Sequence, residues 1–263
     1  MRHLRAWPPH QPVIEVVNFP GGSLVDIASA PLYLRLFIVI AWLGLVLAIA
    51  GVVNYSYRSD DAVADPRSSE AVRKVVHIGT GNVILLAWWL NIPAWIGIGA
   101  SVVASGITLL SYWRPILPVI NSVGRRSFGT FFYSLSIGIL IALFWPLKQP
   151  EYAALGVLVM AWGDGMAALV GQRFGSHPYE IGGMKKSWEG SLAMAVASGV
   201  VSFGVLWIAH IPGYQANLGQ MGVVALAIAL LATTLEAISI WGIDNLTVPF
   251  CSAIAAWQLA HWG

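Results

Sequence analysis

Residues 152–172 read YAALGVLVMAWGDGMAALVGQ, and this stretch decides the fold class. It matches the roughly 20 residues that cross a bilayer core as helix, and Asp164 is its one formally charged residue. A carboxylate at a helix centre costs roughly 3 kcal/mol on insertion scales, so Asp164 is expected to face a polar cavity or a partner. Helical spacing puts residues 164, 167, 171 and 175 on one face, a stripe of Ala167, Gly171 and Gly175 running from Asp164. A neighbouring helix or a ligand can approach closely along such a stripe.

Comparable apolar runs recur on both sides. Of 263 residues, 57% are hydrophobic and 10% charged, with a mean hydropathy of +0.73, against about 25% charged in ordinary soluble domains. The expectation is an all-α, polytopic membrane helical bundle with no soluble domain. Pro, Gly and charge divide it into eight candidate helices: 36–54, 75–91, 94–112, 130–145, 152–172, 190–209, 220–241 and 246–262. Residues 31–263 form one transmembrane domain. Residues 1–30 form a tail broken by Pro8, Pro9, Pro20, Gly21 and Gly22, which does not read as a cleaved signal peptide. The net charge of +2 implies no nucleic-acid partner, and a single cysteine, Cys251, excludes intramolecular disulfides and cysteine-based zinc sites.

An even number of crossings puts both termini on one side. That side carries Arg2, Arg5, Arg35 and Lys148; the other carries Arg58, Arg67, Arg73, Lys74, Arg114, Arg125, Arg126, Arg173, Lys185 and Lys186. The imbalance of ten to four places the second face in the cytoplasm and the termini outside it.

Five polar clusters remain outside the apolar runs, all on or near that cytoplasmic face. Glu70, Arg73, Lys74 and His77 share one helical face, as catalytic groups or as a headgroup anchor. Arg125 and Arg126 open the fourth helix in a small-residue loop suited to a phosphate, although positive-inside retention explains them equally. Asp164 and its small-residue stripe are the third cluster. The fourth runs from Gly171 through Gly175 to Lys185-Lys186-Ser187-Trp188-Glu189-Gly190, where two lysines and a capping Ser187 sit beside a helix start. Position 185 is Lys and position 181 Ile, so this is not a Walker A loop. Glu236, Asp244 and Asn245 form the fifth. If the helix persists, an offset of eight stacks Glu236 on the face of Asp244, and with Asp164 these oxygens suit Mg2+.

These segments resemble the family of CTP-dependent lipid-alcohol kinases, which includes phytol, dolichol and CTP-dependent diacylglycerol kinases. The matching pieces are Arg73-Lys74-x-x-His77, Arg126-Ser-Phe-Gly129-Thr130-Phe-Phe-Tyr133, Gly163-Asp164-Gly-Met-Ala167, Gly171-x-x-Phe174-Gly175, Lys185-Lys186-Ser187-Trp188-Glu189-Gly190 and Glu236-x7-Asp244-Asn245-x3-Pro249. They cover about residues 70–250. The Gly-Thr-Phe-Phe-Tyr stretch, the Glu to Asp-Asn spacing and the compact size look closest to the phytol kinase branch, which salvages phytol for tocopherol synthesis in photosynthetic organisms.

The resemblance implies transfer of the terminal phosphoryl group of CTP, with UTP or ATP open, to a prenyl alcohol such as phytol. It implies Mg2+ as cofactor, and a multi-pass protein of a bacterial inner membrane or thylakoid with its active site facing the cytoplasm. By the same resemblance Asp164, Lys186 and Glu189 are catalytic, and Asp164, Glu236 and Asp244 hold the metal. Arg73, Lys74, His77, Arg126, Gly171, Gly175, Lys185 and Asn245 contact the nucleotide. The alcohol chain is expected along the small-residue face near Asp164. Two other readings stay open: a CTP:phosphatidate cytidylyltransferase, which would release pyrophosphate, and an ion-coupled transporter using Asp164 and Glu236 in mid-membrane.

Overall fold

A helix that is apolar on every face yet exposed has lipid, not water, as its natural solvent. The helix α1, Leu32–Ser56, is of this kind: Phe37, Ile40, Leu47 and Val52 are all exposed. The computed structural model describes residues 27–56, 66–112, 128–209 and 218–262. After α1 come α2 (Pro66–Gly81), α3 (Val83–Trp89), α4 (Ala94–Ser111), α5 (Gly129–Phe144) and α6 (Pro150–Phe174). A hairpin of β1 (Pro178–Ile181) and β2 (Met184–Ser187) precedes α7 (Trp188–Ile208), α8 (Leu218–Ile238) and α9 (Asp244–Trp262).

The quoted stretch is the axis of the bundle. Every residue of α6 from Tyr152 to Ala161 is buried, and the helix packs against α2, α3, α5, α7, α8 and α9. Glycines let the neighbours this close. A Cβ on Gly156 would strike the main-chain carbonyl of Pro249 in α9, and one on Gly165 would lie 2.5 Å from the Cδ1 of Ile78 in α2.

Hydrogen bonds sort the helix ends into two groups. At one end, Arg35 near the start of α1 donates to the carbonyls of Leu90 and Asn91 after α3. There too Trp145 after α5 donates to the Ile92 carbonyl, and Trp257 of α9 donates to Gln149 before α6. At the other end, the Phe128 N–H before α5 donates to the Trp241 carbonyl, and the hairpin meets the C-terminal turn of α8. The described parts of all five polar clusters gather at or toward this second end.

Among the described residues five helices are long and apolar enough to cross a membrane by length and composition: α1, α4, α6, α7 and α8. The helix α5 is apolar but shorter. The expected second span, 75–91, is divided at Asn82 between α2 and α3, and α2 carries the charged residues 70–77. The expectation of eight spans thus stands at five by this measure.

Two local expectations are corrected. The chain is not all helix: the loop between Gly175 and Ser187 holds the two-stranded antiparallel hairpin, with Ile181 opposite Met184. Gly182 and Gly183, at φ +58° and +76°, form its two-residue turn, a conformation that favours glycine. The helix after Glu236 also does not persist: α8 ends at Ile238, and a turn containing Trp241 and Gly242, both at positive φ, precedes α9.

Gly156→Val is expected to lower stability by at least about 1–3 kcal/mol, since backbone rather than a flexible side chain meets the new atoms. Gly44→Ala, where nothing lies within 4 Å, is expected to be neutral or stabilising. Thermal unfolding of the purified variants in detergent checks both.

Candidate active site

The site grows from the need to neutralise Asp164. Its carboxylate faces α2, where Lys74 Nζ lies 2.5 Å from Oδ2 and His77 Nε2 lies 3.5 Å from the same oxygen. Only 2% of the Lys74 side chain is exposed, so this ion pair is nearly out of water. Lys74, His77 and Glu70 share a face of α2 because three to four residues make one turn. Glu70 completes the group: it accepts two hydrogen bonds from Arg73, at 2.9 and 2.5 Å, and lies 3.9 Å from Lys74.

His77 is fixed from two sides. Tyr133 of α5 stacks on its ring at 4.0 Å, and the Tyr133 hydroxyl donates to the His77 carbonyl. The ring has a backbone hydrogen bond at Met160, while Nε2 is buried with no hydrogen-bond partner. An unsatisfied ring nitrogen thus sits beside a carboxylate.

The hairpin and the α8–α9 turn supply the opposite wall. Successive strand residues point to opposite faces, which separates the two adjacent lysines. Lys186 turns inward to Glu236 Oε1 at 2.7 Å and also donates to the Glu236 main-chain carbonyl; Lys185 points outward and is exposed. Asp244 begins α9 with its N–H on Ser239 Oγ at 2.7 Å, and Asn245 donates to the Gly242 carbonyl and to Asp244 Oδ1. Charge interactions link Asp244 with Asp164, Lys186, Lys74 and Glu236, but it forms no ion pair within 4 Å among the described residues.

The structure therefore brings together Arg73, Lys74, His77, Asp164, Lys186, Glu236, Asp244 and Asn245. Glu189 is held elsewhere: its carboxylate accepts from the His177 N–H and lies 2.7 Å from His177 Nδ1, at the base of the hairpin. Gly171 and Gly175 pack against Ser187, and Gly171 also against Gly190. The stripe beyond Asp164 is thus filled by the start of α7, with Ser187 capping Gly190, and leaves no groove there for an alcohol chain. Arg126 and Arg125 lie outside the described residues.

Two apolar grooves of ≈590 and ≈460 Å3 open on the bundle surface, with Trp162 and Val201 lining both. Trp162, Met166 and Val170 recur every fourth residue on the side of α6 away from Asp164, so the larger groove, which Glu189 also lines, opens away from the Lys74–Asp164 pair.

Sequence reasoning passed over the partners that orient these groups: Tyr133 on His77, Ser239 under Asp244 and His177 on Glu189. A signal for the hairpin was present, because Gly182-Gly183 between two short runs is a two-residue hairpin pattern.

Among the described residues, no three His, Cys, Asp or Glu side chains gather as a metal cage. Mg2+ does not require one, since it is commonly held by one or two carboxylates together with substrate phosphates and water. Asp164 and Asp244, which interact electrostatically, fit that arrangement, and the unpartnered His77 Nε2 lies beside Asp164.

Comparison with known proteins places the chain among enzymes. The chain is 48% identical to the phytol kinase of Synechocystis sp. over 229 residues, 87% of this chain and 93% of that one. It is 31% identical to the chloroplastic farnesol kinase of Arabidopsis thaliana over 207 residues, 72% of this chain and 65% of that one. It is 27% identical to the chloroplastic phytol kinase 1 of the same plant over 210 residues, 70% and 65% of the two chains. No family model and no solved structure matches the chain.

Lys74→Met would leave Asp164 as a buried charge without its ammonium and is expected to cost about 3–5 kcal/mol. The double variant Lys74→Met/Asp164→Asn should recover much of that loss. Thermal unfolding in detergent compares the two.

Proposed function

The chain belongs to the phytol kinase family, and on that premise we propose that it transfers the terminal phosphoryl group of CTP to phytol, with the chemistry at the cluster around Asp164. The observation that carries the assignment of the site is the buried Lys74–Asp164 pair facing Lys186 and Asp244 inside an otherwise apolar bundle. Phosphoryl transfer needs mainly in-line positioning and neutralisation of the phosphates, which lysines and a Mg2+ ion held by carboxylates can supply.

In this reading the alcohol oxygen attacks the terminal phosphorus, the bond from that phosphorus to the bridging oxygen breaks, and CDP leaves. Asp164 sits where the hydroxyl arrives, to orient it and take its proton as the new bond forms. Lys186 and Lys74 bind phosphate oxygens from the hairpin and from α2, with Arg73 adding positive charge. Asp164 and Asp244 would hold Mg2+, with Asn245 orienting Asp244; bound there, the ion would neutralise phosphate charge. Glu189 contributes by gripping His177 and so the base of the hairpin, and Lys185 offers its charge to the nucleotide from the outer face.

Among the described residues the end of the bundle that carries these groups holds Arg73, Lys74, Arg173, Lys185 and Lys186, against Arg35 and Lys148 at the other end, which supports a cytoplasmic active site with both termini on the opposite side of an eight-span multi-pass protein. Phytyl phosphate made there would feed tocopherol and prenyl-lipid synthesis.

Purified protein in detergent with Mg2+, phytol and CTP labelled at the terminal phosphate tests the reading. Label is expected in the lipid phase with CDP released; pyrophosphate release instead would identify a cytidylyltransferase. Asp164→Asn should lower turnover per folded molecule by about 10²-fold or more, with thermal unfolding in detergent reporting the stability lost when Lys74 is left without its carboxylate, and near-normal turnover would remove Asp164 from its assigned role.

A further inference from the structure

Lys186 does not point freely into the site. Its ammonium has three N–H donors, and Glu236 accepts two of them, through Oε1 at 2.7 Å and through its own main-chain carbonyl. That carbonyl lies in the last turn of α8, where it also accepts from the Ser239 N–H at 3.1 Å and the helix end favours a cation. Both side chains are nearly out of water, Lys186 at 14% and Glu236 at 11% exposure.

The strand that carries Lys186 is itself tied down. Ser187 accepts from the Gly190 N–H, Tyr179 meets Ser191 at 2.6 Å, His177 is bound to Glu189, and the Gly182 turn lies against Ile240 of the α8–α9 turn. With the backbone fixed, what remains to be set is the direction of a long, flexible side chain, and Glu236 sets it. On this wall Asp244, which forms no ion pair within 4 Å among the described residues, is the carboxylate left available to a cation.

We infer that Glu236 is a positioning residue of the nucleoside triphosphate site, holding Lys186 so that its third N–H is presented to a phosphate oxygen, and that it is not a metal ligand. This rests on the phytol kinase reading for the identity of the triphosphate. It differs from that reading in assigning Glu236 to the hairpin lysine and away from Mg2+.

The test compares CTP and Mg2+ dependence in the full-length protein in detergent. Glu236→Gln keeps the shape and one acceptor but removes the charge. It should raise the CTP dissociation constant and KM by about 10-fold, while the half-saturating Mg2+ concentration at saturating CTP moves less than about twofold. Lys186→Gln should raise the CTP constants at least as far. Lys186→Gln/Glu236→Gln, which leaves no unpaired buried charge and so protects folding, should be no worse than Lys186→Gln alone. A rise in the Mg2+ requirement with CTP affinity unchanged would make Glu236 a metal ligand and overturn the inference. Additive losses in the double variant would overturn it as well. If wild-type protein binds CTP but passes no label to phytol, the phytol kinase reading fails while these affinities still decide the role of Glu236. Absence of CTP binding would overturn both.

Discussion

The ion pair between Lys74 and Asp164 is the constraint from which the rest of the arrangement follows. A carboxylate in the middle of the most buried helix is tolerable only with a cation brought to it inside the apolar bundle. This forces α2 against α6, and the close approach is made possible by Gly81, packed on Ala161, and Gly165, packed on Ile78. The charged stretch of α2, too polar to face lipid, is thereby turned inward with Glu70, Arg73 and His77 around the same point. Once α2 is fixed, the remaining wall falls to the hairpin and the α8–α9 turn, the other elements at that end that carry charge.

Two lysine–carboxylate pairs result, Lys74 with Asp164 and Lys186 with Glu236, and Asp244 interacts electrostatically with all four groups while paired with none. Such pairs contribute little net stability, because the attraction is offset by the cost of leaving water. They do hold opposite charges close together, and on the proposed function the same ammonium groups that neutralise these carboxylates are the ones offered to a triphosphate.

Much of this was legible in the sequence. The length and apolarity of residues 152–172 marked the central helix, and Asp164 inside it marked the site. Periodicity put Lys74 and His77 on one face of α2, and the motif order carried the family resemblance. What could not be read was contact. Spacing alone allowed Glu236 and Asp244 to stack on one continuous helix, but Trp241 and Gly242 break it, and the two meet across a turn. Adjacent lysines looked equivalent until strand alternation sent Lys186 inward and Lys185 outward. The glycines beyond Asp164 were equally consistent with a ligand groove or a helix contact, and Ser187 and Gly190 occupy that space.

Phosphoryl transfer is proposed to take place between the inward face of the hairpin and the Lys74–Asp164 pair. The most direct measurement is an experimental structure of the protein with Mg2+ and a non-transferable CTP analogue. The terminal phosphate is expected between Lys186 and Lys74, with Asp164 and Asp244 beside it. A nucleotide held at the outer face of the hairpin by Lys185, with the Lys74–Asp164 pair undisturbed and remote from its phosphates, would contradict it.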